Sequence, residues 1–388
     1  METAKLAALS GAFKFEVLEF PIPKPLEGGL VIKTEVACIC GSDGHFVKAD
    51  IQKPANLGHE FTGKIVDMDA KANEMIHCYG GDLKIGDRIA VYPWITCGKC
   101  DSCMTHGPGV CGVCDNGFIY GGPIGDGYDV LNTDPFIFPH FKGGFGEYVH
   151  IFPGTFVWKV PDEMPSRIAA LLDPTAVAVR AIELAMTECG VLQEGISTST
   201  TALVIGAGPI GVIAGMILRH MGVENLIISD MVSKKLEMAK DIAQADIALN
   251  VSGMSSDERI ANILDITHGG AEVVINCANH VQSSIEGLQM ARKLGTFVEV
   301  GNAMSFADSN PVSINLAKVV FERNVRVTSV VANQPSTFDR AFRLLKKFNK
   351  LPFEKLITHE FYSFDDLLPT IKKMRDDDYL KGVLNFVK

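Results

Sequence analysis

Five of the chain's ten cysteines fall within eighteen residues, at Cys97, Cys100, Cys103, Cys111 and Cys114. Four thiolates make a closed tetrahedral zinc site. Cys97, Cys100 and Cys103 are spaced C-x2-C-x2-C, and either Cys111 or Cys114 can supply the fourth sulfur. Gly98, Gly107 and Gly109 let the backbone curl around an ion. A shell of four thiolates leaves no open coordination position, so this lobe reads as a staple and the chemistry must lie elsewhere.

A second ligand set stands upstream. Cys40, Ser42, Asp43 and His45 fall within six residues, and His59 and Glu60 follow. A cysteine and a histidine need one more protein ligand to make a zinc site with an open position. The best candidate is Asp173 in "AALLDPTAVAVRAI", a carboxylate in an apolar stretch where burial without a partner is unfavourable. A helix N-cap is the plainer reading of Asp173, and Glu60 is the rival ligand.

A third pattern binds a different kind of group. "TALVIGAGPIGVIAGMIL", Thr201 to Leu218, reads as an apolar strand, then Gly206, Gly208, Pro209, Ile210 and Gly211, then a helix. Asp230 ends the next strand, nineteen residues after Gly211. A G-x-G-x-x-G turn between strand and helix, followed by an acid at this distance, predicts a dinucleotide site. The pyrophosphate would sit at the helix N-terminus, with Asp230 on the adenosine ribose and Lys235 as a second ribose contact. The Asp230 carboxylate would repel the extra phosphate of NADP, which favours NAD. Downstream, strand and helix patterns alternate as far as "RVTSVV", which predicts a doubly wound parallel sheet. Cys277, Ala278, Val300 and Gly301 at strand ends would line the nicotinamide side.

The bulk composition agrees with a soluble enzyme. The chain has 388 residues, enough for two domains, with 47% hydrophobic and 21% charged residues. Its net charge of −10 and the absence of a basic cluster around the cysteine lobe argue against a nucleic-acid partner. The N-terminal stretch has no secretory apolar core, and the four glycines and the proline in Thr201–Leu218 argue against a membrane helix. A reducing, cytoplasmic setting is expected, where clustered cysteines bind metal rather than form disulfides.

Taken together, the chain resembles the zinc-containing medium-chain alcohol dehydrogenase family over essentially its whole length. The carriers, in family order, are "GHE" at Gly58–Glu60, "GDRIAV" at Gly86–Val91, the cysteine lobe, "GGFGEYV" at Gly143–Val149 and the glycine turn. A carboxylate at Asp173 is similar to the polyol, threonine and secondary-alcohol branches. The resemblance implies an α/β architecture: a mostly-β GroES-like catalytic domain over 1–176, a Rossmann domain over 177–330, and a return to the catalytic domain over 331–388. It implies two zinc ions per chain and NAD, with Cys111 as the fourth structural ligand. It also implies a catalytic zinc on Cys40, His59 and Asp173, at the base of a cleft between the domains. A proton relay would run through Ser42, the nicotinamide ribose and His45, with Asp43 behind His59 and Lys381 near the pyrophosphate.

The substrate implied is a secondary alcohol or polyol, cyclic ones included, or the corresponding carbonyl in the reductive direction. A non-catalytic dinucleotide binder that kept only the structural zinc is the reading from another class. A homodimer or homotetramer is expected through an extended apolar segment at Asn310–Leu316. Two stretches are longer than the family pattern, 67–85 and 116–142. His77 and Cys78 in the first read more readily as loop residues than as a metal pair. Phe118, Tyr120, Tyr128, Phe136, Phe138 and Phe141 in the second either pack on the parent domain or a neighbouring subunit, or wall a substrate pocket.

Overall fold

The computed structural model describes residues 2–49, 51, 53–107, 114–122, 134–186, 196–301, 313–330 and 333–387. The chain divides into two compact units, Met1–Asp173 with Ala332–Lys388, and Pro174–Val331.

The strands of the first unit, in order, are β1 (Thr3–Gly11), β2 (Lys14–Pro21), β3 (Leu30–Cys38), β4 (Ala55–Asn56), β5 (Glu60–Met68), β6 (His77–Tyr79), β7 (Arg88–Val91), β8 (Trp94–Ile95), β9 (Phe118–Ile119), β10 (Tyr148–Ile151) and β11 (Phe156–Lys159). Those of the second are β12 (Thr201–Ile205), β13 (Asn225–Asp230), β14 (Ile247–Asn250), β15 (Ala271–Asn276), β16 (Ala291–Glu299) and β17 (Arg326–Ser329). β18 (Ile357–Phe361) and β19 (Lys381–Asn385) return to the first.

The large sheet of the first unit runs β18-β19-β3-β5-β7-β11-β6, with β10 also on β3. β3 is a near-continuous apolar run, "LVIKTEVAC", buried at every residue but Lys33. Such a strand belongs in the middle of a sheet, and β3 pairs antiparallel with β5, β10 and β19. The register sets Cys38 opposite both Glu60 and Val383. The carboxyl end of β3 and the starts of β5 and β19 therefore meet at one edge, and Cys40, His59, Glu60 and Lys381 are all found there.

The stretch 67–85 contributes structure of its own. It holds a helical turn, Ala72–Met75, and β6, which pairs in parallel with β11. The Asn73 side chain grips the backbone of Leu83 in both directions, at 3.1 and 2.7 Å. His77 stacks on Phe156 at 4.4 Å, and burial pushes the Cys78 thiol up to about 11.

The aromatics of 116–142 divide. Phe118, Tyr120 and Phe141 are buried, and the Tyr120 hydroxyl accepts from Phe152 N at 2.8 Å and lies 2.7 Å from Thr155 Oγ1. Phe136 and Phe138 stay 58% and 62% exposed, and Tyr128 lies outside the described residues. Three of these rings thus serve the core of their own unit.

The second unit is a parallel sheet in the order β14-β13-β12-β15-β16-β17, a doubly wound arrangement that reverses direction between β12 and β15. The eighteen uncharged residues from Thr201 become β12, a turn and the helix Pro209–His220. Among the described residues, no helix is long and apolar enough to cross a membrane. Ser313, Ile314 and Asn315, in the segment expected to extend across a subunit interface, belong to no strand, and Leu316 directly precedes a helical turn, Ala317–Phe321.

Candidate metal centres and dinucleotide site

The cysteine lobe is built on the helix Asp101–His106, which carries Cys103, and on the loops flanking it. Sulfur separations are 4.0 Å for Cys97–Cys103, 4.0 Å for Cys100–Cys114 and 3.6 Å for Cys103–Cys114. A tetrahedron with Zn–S bonds of ~2.3 Å has edges of ~3.8 Å, so these sulfurs already stand at zinc-ligand spacing. Backbone amides of Lys99 and then Cys100 help pull the Cys97 thiol down to about 6, toward the thiolate a metal needs. The fourth corner is filled by Cys114, whose sulfur also accepts from Cys97 N at 3.3 Å. Cys111, the expected fourth ligand, lies outside the described residues.

At the second centre, ligand atoms of Cys40, His59 and Glu60 all lie within 4.8 Å of one another. Cys40 follows β3, and the short helix Asp43–Phe46 then carries Asp43 and His45. Asp43 is fully buried, and its Oδ2 accepts from Cys40 N at 2.8 Å, which fixes the cysteine's backbone. Burial pushes the Asp43 carboxyl up to about 6. Burial alone would lower the His59 imidazole, but the Cys40 sulfur hydrogen-bonded to it, with Asp43 and Asp173, outweighs that and raises it to about 10.

A bound cation would answer the same crowding of acidic groups that raises the affinity of the ring for a proton. His59 Nδ1, Asp43 Oδ1 and Ser42 Oγ are all buried without a hydrogen-bond partner. A thiol, an imidazole and nearby carboxyls with unused polar atoms suit a zinc site.

Asp173 lies in the first turn of the helix Leu172–Met186. Burial pushes its carboxyl up to about 6, and its charged neighbours are His59, Glu60 and Lys381. It is not among the three groups within 4.8 Å, whereas Glu60 is. Glu60, however, already carries a cation. Lys381 Nζ lies 2.5 Å from its Oε2, with the two side chains 4% and 1% exposed. Lys381, expected beside the pyrophosphate, has its charge directed onto Glu60. Sequence spacing carries no sign of this pairing, because it depends on β19 lying next to β3.

In the second unit, Gly206 has φ +98°, and a Cβ there would stand 2.9 Å from Ala278 N. A Cβ on Gly211 would meet Gly206 O, so the helix packs tightly on the turn. A Cβ on Gly208 would enter open space, the room a pyrophosphate needs above the helix start at Pro209 and Ile210. Asp230 ends β13, and its carboxylate accepts from Ala207 N at 2.7 Å and Val232 N at 2.9 Å. It thereby ties the end of the strand to the glycine turn and keeps lone pairs for a ligand. Lys235 is half-buried on the helix Ser233–Ala243.

Cys277 and Ala278 follow β15, Val300 and Gly301 follow β16, and the Val300 and Gly301 amides both bond to Asn276 O at 2.9 Å. Two further side chains, Asn276 and Glu299, close these strands and belong to no motif in the sequence. The signal was a polar residue closing each of two apolar strands.

Comparison with known proteins follows the same division. Residues 27–162 match the alcohol dehydrogenase GroES-like domain, and residues 209–347 match the zinc-binding dehydrogenase model. The chain is 27% identical over 371 residues to the L-threonine 3-dehydrogenase of Bacillus subtilis, covering 93% of each. An alcohol dehydrogenase from Thermotoga maritima matches with a TM-score of 0.83 at 25% identity, over 99% of this chain and 100% of that one. A Sinorhizobium meliloti structure bound to NADP shares the fold with a TM-score of 0.80 at 24% identity, over 99% and 100%. With both parts matched in chain order and both sulfur-bearing centres formed, the chain belongs to the zinc-containing medium-chain alcohol dehydrogenase family.

Proposed function

We propose that the chain is an NAD-dependent dehydrogenase of a secondary alcohol or polyol, with one structural and one catalytic zinc. The observation that carries this reading is the contrast between the two centres. One is closed by four sulfurs, and the other offers Cys40, His59 and a carboxylate beside the unpartnered hydroxyl of Ser42. Asp173 is the third ligand in this reading, because the charge of Glu60 is already balanced by Lys381.

Zinc held there would supply Lewis acidity toward an alcohol oxygen, and a bound nicotinamide would supply the hydride acceptor. The chain's residues manage the proton. Ser42 Oγ accepts the alcohol proton as its own proton passes toward His45. Burial and then Lys48 lower the affinity of His45 for protons, which favours the neutral imidazole that a proton acceptor needs. Asp43 holds the Cys40 backbone and stands behind His59. The same residues serve reduction of a ketone or aldehyde, since they fix the catalyst and not the flux. Retention of the whole set weighs against a non-catalytic dinucleotide binder.

Asp230 favours NAD over NADP by charge, although one structural neighbour holds NADP. A cytoplasmic homodimer or homotetramer completes the reading. Absorbance of reduced cofactor tests it, with NAD and NADP offered separately against L-threonine, polyols, cyclic and short secondary alcohols. Turnover with NAD on one of these classes is expected. No turnover by zinc-loaded protein across the panel in either direction would refute it.

A further inference from the structure

β15 and β16 run in parallel with Asn276 beside Glu299, each the last residue of its strand. Asn276 is completely buried, and its side-chain amide is locked from both ends. Its Oδ1 accepts from Ser283 Oγ at 3.0 Å and from Ala278 N at 3.3 Å. With the oxygen so engaged, Nδ2 must face the other way, and there it donates to the two Glu299 carboxylate oxygens at 3.1 and 3.0 Å and to Ser284 Oγ at 3.3 Å. The half-buried carboxylate is therefore held in one orientation by a buried amide that cannot turn.

Its place on the sheet gives this carboxylate a use. A dinucleotide on a doubly wound sheet lies across the carboxyl edge at the point where strand order reverses, here between β12 and β15. Asp230 on β13 marks the adenosine end and the turn after β12 marks the pyrophosphate. The other half of the molecule must then run toward β15 and β16. The glycine turn abuts this corner, since Gly206 packs against Ala278 N, and a Cβ on Gly301 would collide with Ala278 O.

The two redox forms of a nicotinamide differ by one charge on the ring, which is cationic when oxidised and neutral when reduced. We infer that Glu299, oriented by Asn276, is a specificity-determining residue that holds the oxidised, cationic dinucleotide in preference to the reduced one. The inference rests on the dinucleotide reading of this unit and deepens it. Glu299 makes no bond in the reaction. It sets how far bound cofactor favours the hydride-accepting form.

The test compares two affinities rather than a rate. Kd values for NAD and for NADH are measured by titration calorimetry on the zinc-loaded wild type and on Glu299→Gln, without substrate. The amide retains an acceptor for Asn276 Nδ2 and removes only the charge. Loss of a nearby charge pair at an intermediate dielectric is expected to weaken NAD by about tenfold and NADH by less than about twofold. Glu299→Met, which has neither charge nor acceptor, should move the same ratio and serves if the first variant does not fold. An unchanged ratio of the two Kd values, or equal weakening of both forms, would overturn the inference. Failure of the wild type to bind either form is a distinct result, because it refutes the dinucleotide reading itself and the inference with it.

Discussion

Replacing Lys381 by methionine should cost far more than the loss of one surface charge. Its amine lies 2.5 Å from Glu60 Oε2, with both side chains almost wholly removed from water. Burial alone would lower the affinity of the amine for its proton, but Glu60, with Cys40 and Cys38, outweighs that and raises it, so the amine stays charged. Truncating one partner of such a pair strands the other charge, at a cost of about 3–5 kcal/mol, whereas replacing both partners is often nearly neutral.

Lys381→Met and Glu60→Gln should therefore each destabilise by about 3 kcal/mol or more. The double variant should fall well short of their sum, with a coupling of about 2–3 kcal/mol. The assay is urea unfolding followed by tryptophan fluorescence at fixed zinc. The only two tryptophans, Trp94 and Trp158, both belong to the first unit, so the signal reports that unit alone. Additive costs, or a Lys381→Met penalty below about 1 kcal/mol, would show that the pair is solvated and would refute the reasoning.

Three further outcomes are expected. Ser42→Ala should lower kcat by about 10²–10⁴-fold, and His45→Ala by clearly less because water can replace an outer relay group; equal losses would contradict the order of the relay. Cys114→Ser should remove one zinc per chain by metal analysis and Cys111→Ser should not; the opposite pattern would reassign the fourth sulfur. His150 is 2% exposed, and burial, then His140 and Lys142, hold its imidazole down at about 4, against an ordinary 6.5. The unfolded chain therefore takes up this proton before the folded one does, and stability is lost as pH falls from about 6.5 toward about 4, at roughly 1.4 kcal/mol per pH unit. The stability gap between wild type and His150→Gln should narrow by about 2 kcal/mol between about pH 7.5 and about pH 5; a gap independent of pH would mean that His150 charges freely in the fold.

The parallel sheet was legible because its signals are local. A strand, a glycine turn, a helix and a closing acid occupy thirty consecutive residues from Thr201 to Asp230, and the alternation that follows repeats the same short grammar. The metal-binding residue types were legible for the same reason, since ligands come in close pairs along the chain. The geometry of the first unit was less so. Glu60 meets Lys381 through two antiparallel pairings on β3, contacts that no spacing rule encodes. Motif spacing allowed either Cys111 or Cys114, and only the path of the loop decides which sulfur returns to Cys97. The strand at His77–Tyr79 is three residues long, too short for a periodic pattern, and exists because β11 offers it an edge.

The first unit is interrupted by the second, and this has a consequence for synthesis. β5 leaves the ribosome with Glu60 at its start, and the strand carrying the matching lysine follows only about three hundred residues later. Between them the whole of Pro174–Val331 emerges, a continuous segment whose parallel sheet needs no residue from outside itself. Domains ordinarily fold in the order in which they are made, but here the later unit is complete in the nascent chain first. Until β19 arrives, the Val36–Cys38 end of β3 lacks that partner and the carboxylate at β5 has no ammonium to face, which leaves the half-made sheet open to chaperones and to other nascent chains.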